Sequence, residues 1–142
     1  MKRDAIISQA RLWLGTPYLH QAAARGQGAD CLGLVRGLYT ELLGVAPEAP
    51  PAYTPDWNER HAPGEPLLDA ARRHLIARGE PAPGAVLIFR VEREGPAKHC
   101  GVMTAPDRFI HAYAGRSVIE SWLNRWWRER LVGVFDYPGT ED

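Results

Sequence analysis

The sequence has little cysteine, no net charge and no long apolar run. Two cysteines in 142 residues are too few for a disulfide scaffold. Seventeen Lys and Arg balance seventeen Asp and Glu. This balance leaves no basic footprint for nucleic acid and no basic surface for a membrane. No apolar stretch approaches the ~20 residues that span a bilayer, so no membrane insertion is expected. The opening MKRDAIISQARLWLG carries an early Lys and Arg. It lacks the unbroken apolar core and small-residue cleavage site of a secretory signal. Such a chain is expected to be made in the cytoplasm, and work outside the cell would need a carrier.

What is present suits a globular chain. Apolar residues make up 45% and charged residues 24%, enough for one hydrophobic core in a single domain over 1–142. Apolar spacing predicts a helix over 3–14, with Ile6, Ile7, Ala10, Trp13 and Leu14 on its inner face and Gly15 and Pro17 as the stop. The loop GTPYLHQAAARGQGA leads to a second helix over 31–43. Asp30 is its N-cap, Gly44 its end, and Leu34, Val35, Leu38 and Leu42 lie on its buried side, with Cys31 a further candidate for it. Six prolines between 45 and 66 mark a surface excursion, not a second domain. A third helix follows over 66–78. The period then falls to two, and 85–91, 99–105, 108–113, 117–121 and 131–137 read as strands. Helices followed by an antiparallel sheet are the pattern of an α+β fold.

Cys31 opens the second helix. Partial positive charge and free N–H groups at a helix start favour a thiolate, while cysteine is also among the most often buried residue types. A nucleophilic cysteine needs a base, and the base needs an orienting group. His99 and His111 lie in neighbouring predicted strands that can bring both rings to one face. Alternation then sends Cys100 to the opposite face, into packing, and Gly101 leaves room beside the imidazole. His61, in the excursion, and His74, on a charged helix face, read as solvated. The spacing of Cys31, His99, Cys100 and His111 does not fit a zinc site, and a cytoplasmic origin disfavours a Cys31–Cys100 disulfide. Trp122, Trp126 and Trp127 cluster in SWLNRWWRER; Trp122 and Trp126, four apart, are expected to cover the sheet from one side of a helical turn, and a contact surface for glycan or a neighbouring tail protein is the other reading of the cluster. The excursion, with Tyr53 and Trp57, is long enough for a lid or docking surface.

The ordered motifs GTPY, DCLGLV, PGAVLIF, KHCGV and FIHA resemble the NlpC/P60 family of cysteine peptidases from about Trp13 to Tyr137. GTPYLHQ, the long DCLGLVRGLYTELLG block and the DW of the excursion resemble the branch carried by phages and gene transfer agents. The resemblance implies a papain-like fold, with the cysteine helix packed on the histidine-bearing sheet. It implies Cys31 as nucleophile, His99 as general base and acid, and His111 as the orienting residue. It matches Tyr18 to the tyrosine bordering the cysteine, a candidate oxyanion donor beside the Cys31 N–H. It matches Asp30 to the acidic residue that, in some members, holds a substrate amine; capping is its other duty. Many members have serine where this chain has Leu32, which bears on specificity. The implied substrate is a peptidoglycan stem peptide, with no metal and no cofactor. The implied partners are phage-like tail or baseplate proteins, and the implied place of action is the periplasm or cell wall. A tail-tip adaptor with a weak or latent site is the alternative. A lipid acyltransferase is the other rival, but it would carry an apolar membrane-binding segment.

Overall fold

A computed structural model of the chain describes residues 1–48 and 64–142. Residues 49–63, with Tyr53, Trp57 and His61, lie outside the described part. The first helix, α1, runs Arg3–Arg11 and buries Ile6, Ile7 and Ala10. It stops short of the expected 14 because the chain tightens into three-residue turns, with Trp13 N donating to Ala10 O and Leu14 N to Arg11 O. Trp13 is buried as the spacing predicts, but the tightening leaves Leu14 exposed, contrary to it. The expected long loop contains a small hairpin, β1 (Ala23–Ala24) with β2 (Gly28–Ala29).

The second helix, α2, occupies Cys31–Leu43 as its pattern predicts. Gly37, unfavourable inside a helix, is required by packing: a Cβ there would sit 2.3 Å from Trp13 Cη2. The Trp13 indole N–H donates to Glu41 Oε1 at 2.8 Å. The third helix, α3, covers Pro66–His74 and gives way early to β3, Ile76–Ala77. The remaining elements are β4 (Val86–Phe89), β5 (His99–Ala105), β6 (Arg108–Ala112), β7 (Val118–Trp122), α4 (Arg125–Arg128) and β8 (Leu131–Asp136).

Six strands form one antiparallel sheet in the order β3-β8-β4-β5-β6-β7. Its residues alternate between two apolar layers. Val86, Ile88, Cys100, Val102, Ile110 and Phe135 face α1, α2 and α3. Leu87, Phe89, Met103, Phe109 and Val134 face the other way, where Leu123 and Trp127 cover them. Residues 106 and 107 alone connect β5 to β6, whose register pairs Val102 with Ile110 and Met103 with Phe109. Tyr137, fully buried after β8, donates its hydroxyl to Val35 O at 3.0 Å and ties the chain's end to α2.

The tryptophan expectation is corrected. Trp122 is 62% exposed and Trp126 is 45% exposed, and Trp127 is the one that packs on the sheet. Trp122 belongs to β7, and α4 starts only at Arg125 behind the Asn124 cap. The two residues therefore never share a helical face.

Candidate active site

Asp30 sets the position of Cys31. It is 3% exposed, and its Oδ1 accepts the Gly33 N–H at 2.7 Å. Its Oδ2 accepts the Gln21 N–H at 2.8 Å. One carboxylate thus caps α2 and anchors the preceding loop, in which Gln21 has a positive φ of 65°. The loop also lies against the helix, since a Cβ on Gly33 would meet Ala22 O at 1.8 Å. This packing holds Cys31, half-buried, at the end of the sheet where β5 begins. Its Sγ is 3.7 Å from Lys98 O.

The histidines come from the next residues of the sheet. His99 opens β5, and His111 lies in β6. His99 Nε2 is 2.8 Å from His111 Nδ1, so Nδ1 of His99 is the nitrogen left for the cysteine. His111 Nε2 is in turn 2.8 Å from Ser121 Oγ on β7. Gly101 makes the close approach possible, as its neighbours suggested. A Cβ there would meet Ile110 O at 2.6 Å and His111 Cβ at 3.0 Å. Trp127 stacks on the His99 ring with centroids 5.1 Å apart and planes at 29°. Phe109 covers His111 at 4.2 Å.

The environment separates the roles these groups can take. The Cys31 thiol is held well below its ordinary value by hydrogen bonding with the Cys100 thiol and then by the hydrogen bond and charge of His99, against the opposing pull of burial and of Asp30. Cys100 moves the other way, pushed up by the same Cys31 contact and by burial. The two shifts favour the charged form at Cys31 and the neutral form at Cys100. Cys100 does face away from His99, as alternation requires, yet it faces α2, where its Sγ–H donates to Cys31 O at 3.3 Å. Both cysteines are free. Burial, helped by the charge of His99, lowers His111 to about 3, so it remains neutral. Tyr18 is pushed up to about 12 by burial and by the Cys31 and Asp30 charges, so its hydroxyl keeps its proton.

Cys31, His99, His111, Tyr18 and Asp30 are thus gathered around one end of the sheet. His74 lies elsewhere, on Glu48 at 3.0 Å. Leu32, next to Cys31, packs half-buried against the helix-side core. Ser121, the stacking of Trp127 on His99 and the inward contact of Cys100 escaped the sequence reading. So did His20, whose Nδ1 is 4.0 Å from Asp30 Oδ2. Strand alternation places Ser121 on one of two faces but does not say which strand pairs with which.

Residues 15–136 match the NlpC/P60 family. The chain is 26% identical over 131 residues to the gamma-DL-glutamyl hydrolase of Bacillus subtilis; the match covers 91% of this chain and 28% of that protein. It is 24% identical to the probable endopeptidase NlpC of Escherichia coli, over 87% of this chain and 74% of that one. The crystal structure of the NlpC/p60 domain of peptidoglycan hydrolase SagA superposes with a TM-score of 0.64 and 20% identity, over 96% of this chain and 99% of that one. That likeness concerns the fold, an α+β arrangement with the cysteine helix packed on an antiparallel sheet. The chain spans little more than a quarter of the first of these relatives. On the match over 15–136, the chain belongs to the NlpC/P60 family.

Proposed function

We propose that this chain is a cysteine peptidase that hydrolyses amide bonds in peptidoglycan stem peptides. The reading rests on the thiolate-favoured Cys31 beside the paired His99 and His111. Peptidoglycan or glutamyl chemistry in the names of two relatives supports the substrate class. Cys31 Sγ attacks the amide carbonyl, and a C–S bond forms as the carbonyl electrons move to oxygen. The Cys31 backbone N–H and the protonated Tyr18 hydroxyl are the donors for that oxyanion, a contribution whose loss typically costs about a hundredfold or more in rate. His99 passes its Nδ1 proton to the leaving nitrogen as the C–N bond breaks. The neutral Nδ1 then takes a proton from water, whose oxygen attacks the thioester and releases Cys31 as thiolate. Neutral His111 accepts the His99 Nε2–H throughout and fixes the ring's orientation. Asp30 serves as cap and loop anchor, and its negative charge stands behind the nucleophile, where a substrate ammonium would find it.

The finer reading is a peptidase delivered to murein by a phage or gene-transfer-agent tail. It is supported by the likeness of GTPYLHQ, DCLGLVRGLYTELLG and the DW pair to that branch. The test is digestion of defined muropeptides with mass analysis of the products. Wild-type protein is expected to release fragments cut at one amide, and Cys31→Ala and His99→Ala to release none while keeping the wild-type melting curve. A folded Cys31→Ala protein that still cuts would end the proposal.

A further inference from the structure

Ser121 is used by nothing in the reaction above, yet its hydroxyl ends the line of polar atoms that starts at Cys31. On the face shared by β6 and β7, Phe109 pairs with Ser121 and His111 with Ile119. Ser121 therefore stands diagonally across from His111, within side-chain reach. We propose that Ser121 is a positioning residue. By accepting the His111 Nε2–H, it fixes the tautomer whose Nδ1 lone pair holds the His99 Nε2–H. His99 Nδ1 is then free to exchange protons with Cys31 and the leaving amine. The inference rests on the nucleophile–base reading given under Proposed function.

His111 is 0% exposed, so its ring takes its partners from the protein. Phe109 lies over it at 4.2 Å, Trp127 meets it at 5.3 Å and 86°, and Tyr113 at 5.5 Å and 84°. Among the described residues, its polar contacts are His99 on Nδ1 and Ser121 on Nε2. A neutral imidazole carries one N–H, which can be on either nitrogen. With the proton on Nε2, His111 donates to Ser121 and accepts from His99. Neutral His99 then keeps its own proton on Nε2 and presents a bare Nδ1 to the reacting groups. With the proton on Nδ1, His99 Nε2 must accept. Neutral His99 then carries its proton on Nδ1, and no base faces the thiol or the attacking water. A serine hydroxyl can accept or donate, but a charged His99 donates from both nitrogens, so His111 Nδ1 must accept, its proton sits on Nε2, and Ser121 Oγ is the acceptor that satisfies it. Its removal leaves the buried Nε2–H without a partner, a cost that favours the second arrangement whenever His99 is neutral.

Three readouts test this. The first is the His111 tautomer of the wild-type protein, from two-bond ¹⁵N–¹H spectra. The second is the pH dependence of Cys31 alkylation by iodoacetamide, located by mass. The third is turnover of defined muropeptides. The Cys31 midpoint is read against the groups that face it: His99 and Cys100 from β5, Tyr18 and Asp30 from the loop before α2. Wild type is expected to carry the His111 proton on Nε2. Ser121→Ala is expected to lower kcat about tenfold with KM unchanged and to move the alkylation midpoint to higher pH. Ser121→Thr, which keeps the hydroxyl, is expected to restore both. A proton on His111 Nδ1 in wild type would overturn the proposal without any variant. A folded Ser121→Ala protein with wild-type kcat and midpoint would also overturn it, as would a Thr variant no better than Ala. If wild type leaves every muropeptide intact, the peptidase reading fails, while the tautomer and the midpoint still decide the part of Ser121.

Discussion

A buried imidazole that must stay neutral makes the fold sensitive to acid. An unfolded histidine takes up a proton near pH 6.5, whereas burial and the His99 charge delay His111 to about 3. Between those values the unfolded chain binds one more proton than the folded one, so stability rises with pH across that window and falls as pH drops through it. The slope is at most about 1.4 kcal/mol per pH unit for one proton. His111→Gln keeps an acceptor and a donor but does not titrate. Thermal melts of that variant are expected to show a shallower loss between pH 6.5 and 5, above the range where carboxylates contribute. An unchanged slope would mean that the ring gains a proton in the folded state. At this scale much of the site was legible. The cysteine at a helix start and two histidines in adjacent strands are sequence signals, given direction by the family motifs. Ser121 was not legible, because a serine becomes a partner through strand pairing and carries no spacing of its own. The Cys100 thiol was read only as packing, since alternation gives its face but not the carbonyl of Cys31 that waits there.

The start of α2 shows how an element presents chemistry. Asp30 satisfies one orphan N–H of the helix and one N–H of a loop held at positive φ. Asp30→Ala is expected to destabilise by about 2–4 kcal/mol, combining a lost cap with an unpaired buried donor. Asp30→Ser, which retains the cap, is expected to recover part of that loss. Urea unfolding measures both, and a loss equal to that of an exposed cap would show that the Gln21 bond contributes nothing. Cap and stop residues made α2 legible from end to end, and alternation located the strands to within a residue or two. The ends of α1 and α3 were misread because turns and strand pairing override spacing: the chain tightens after Arg11 and leaves Leu14 exposed, and Ile76 joins the sheet edge. The β1–β2 hairpin was invisible because two-residue strands leave no pattern to read. Trp127 was passed over in favour of its neighbours because a four-residue helix, set by Asn124, changes which tryptophan turns inward.

Across the whole molecule, the two ends of the chain close around the sheet. Arg3 forks onto Asp136 with two contacts of 3.1 Å, Arg78 joins at 2.8 Å, and Glu141 N donates to Met1 O at 2.8 Å. Burial works against the Asp136 carboxylate, but the hydrogen bonds of Arg3 and Arg78 hold it below its ordinary value. A depressed carboxyl contributes stability that is complete above its unfolded value near pH 4 and is lost as pH falls through its folded one. Asp136→Asn is expected to lower the melting temperature at neutral pH and to flatten its decline below pH 4. A variant with the wild-type acid limb would assign that decline to other groups. The order of helices before strands was readable over the described chain, whereas this closure was not, since Arg3 and Asp136 are 133 positions apart and Arg78 and Asp136 are 58 apart. One small connection governs the rest. Residues 106 and 107 join β5 to β6 and set which residues lie opposite each other. Side chains alternate along a strand, so this turn acts as a gauge of phase. One residue more would hand His111 to the helix side of the sheet, with the strands still paired and the contacts from His99 to Ser121 broken. A connection with no chemistry of its own thus keeps the two imidazoles in step.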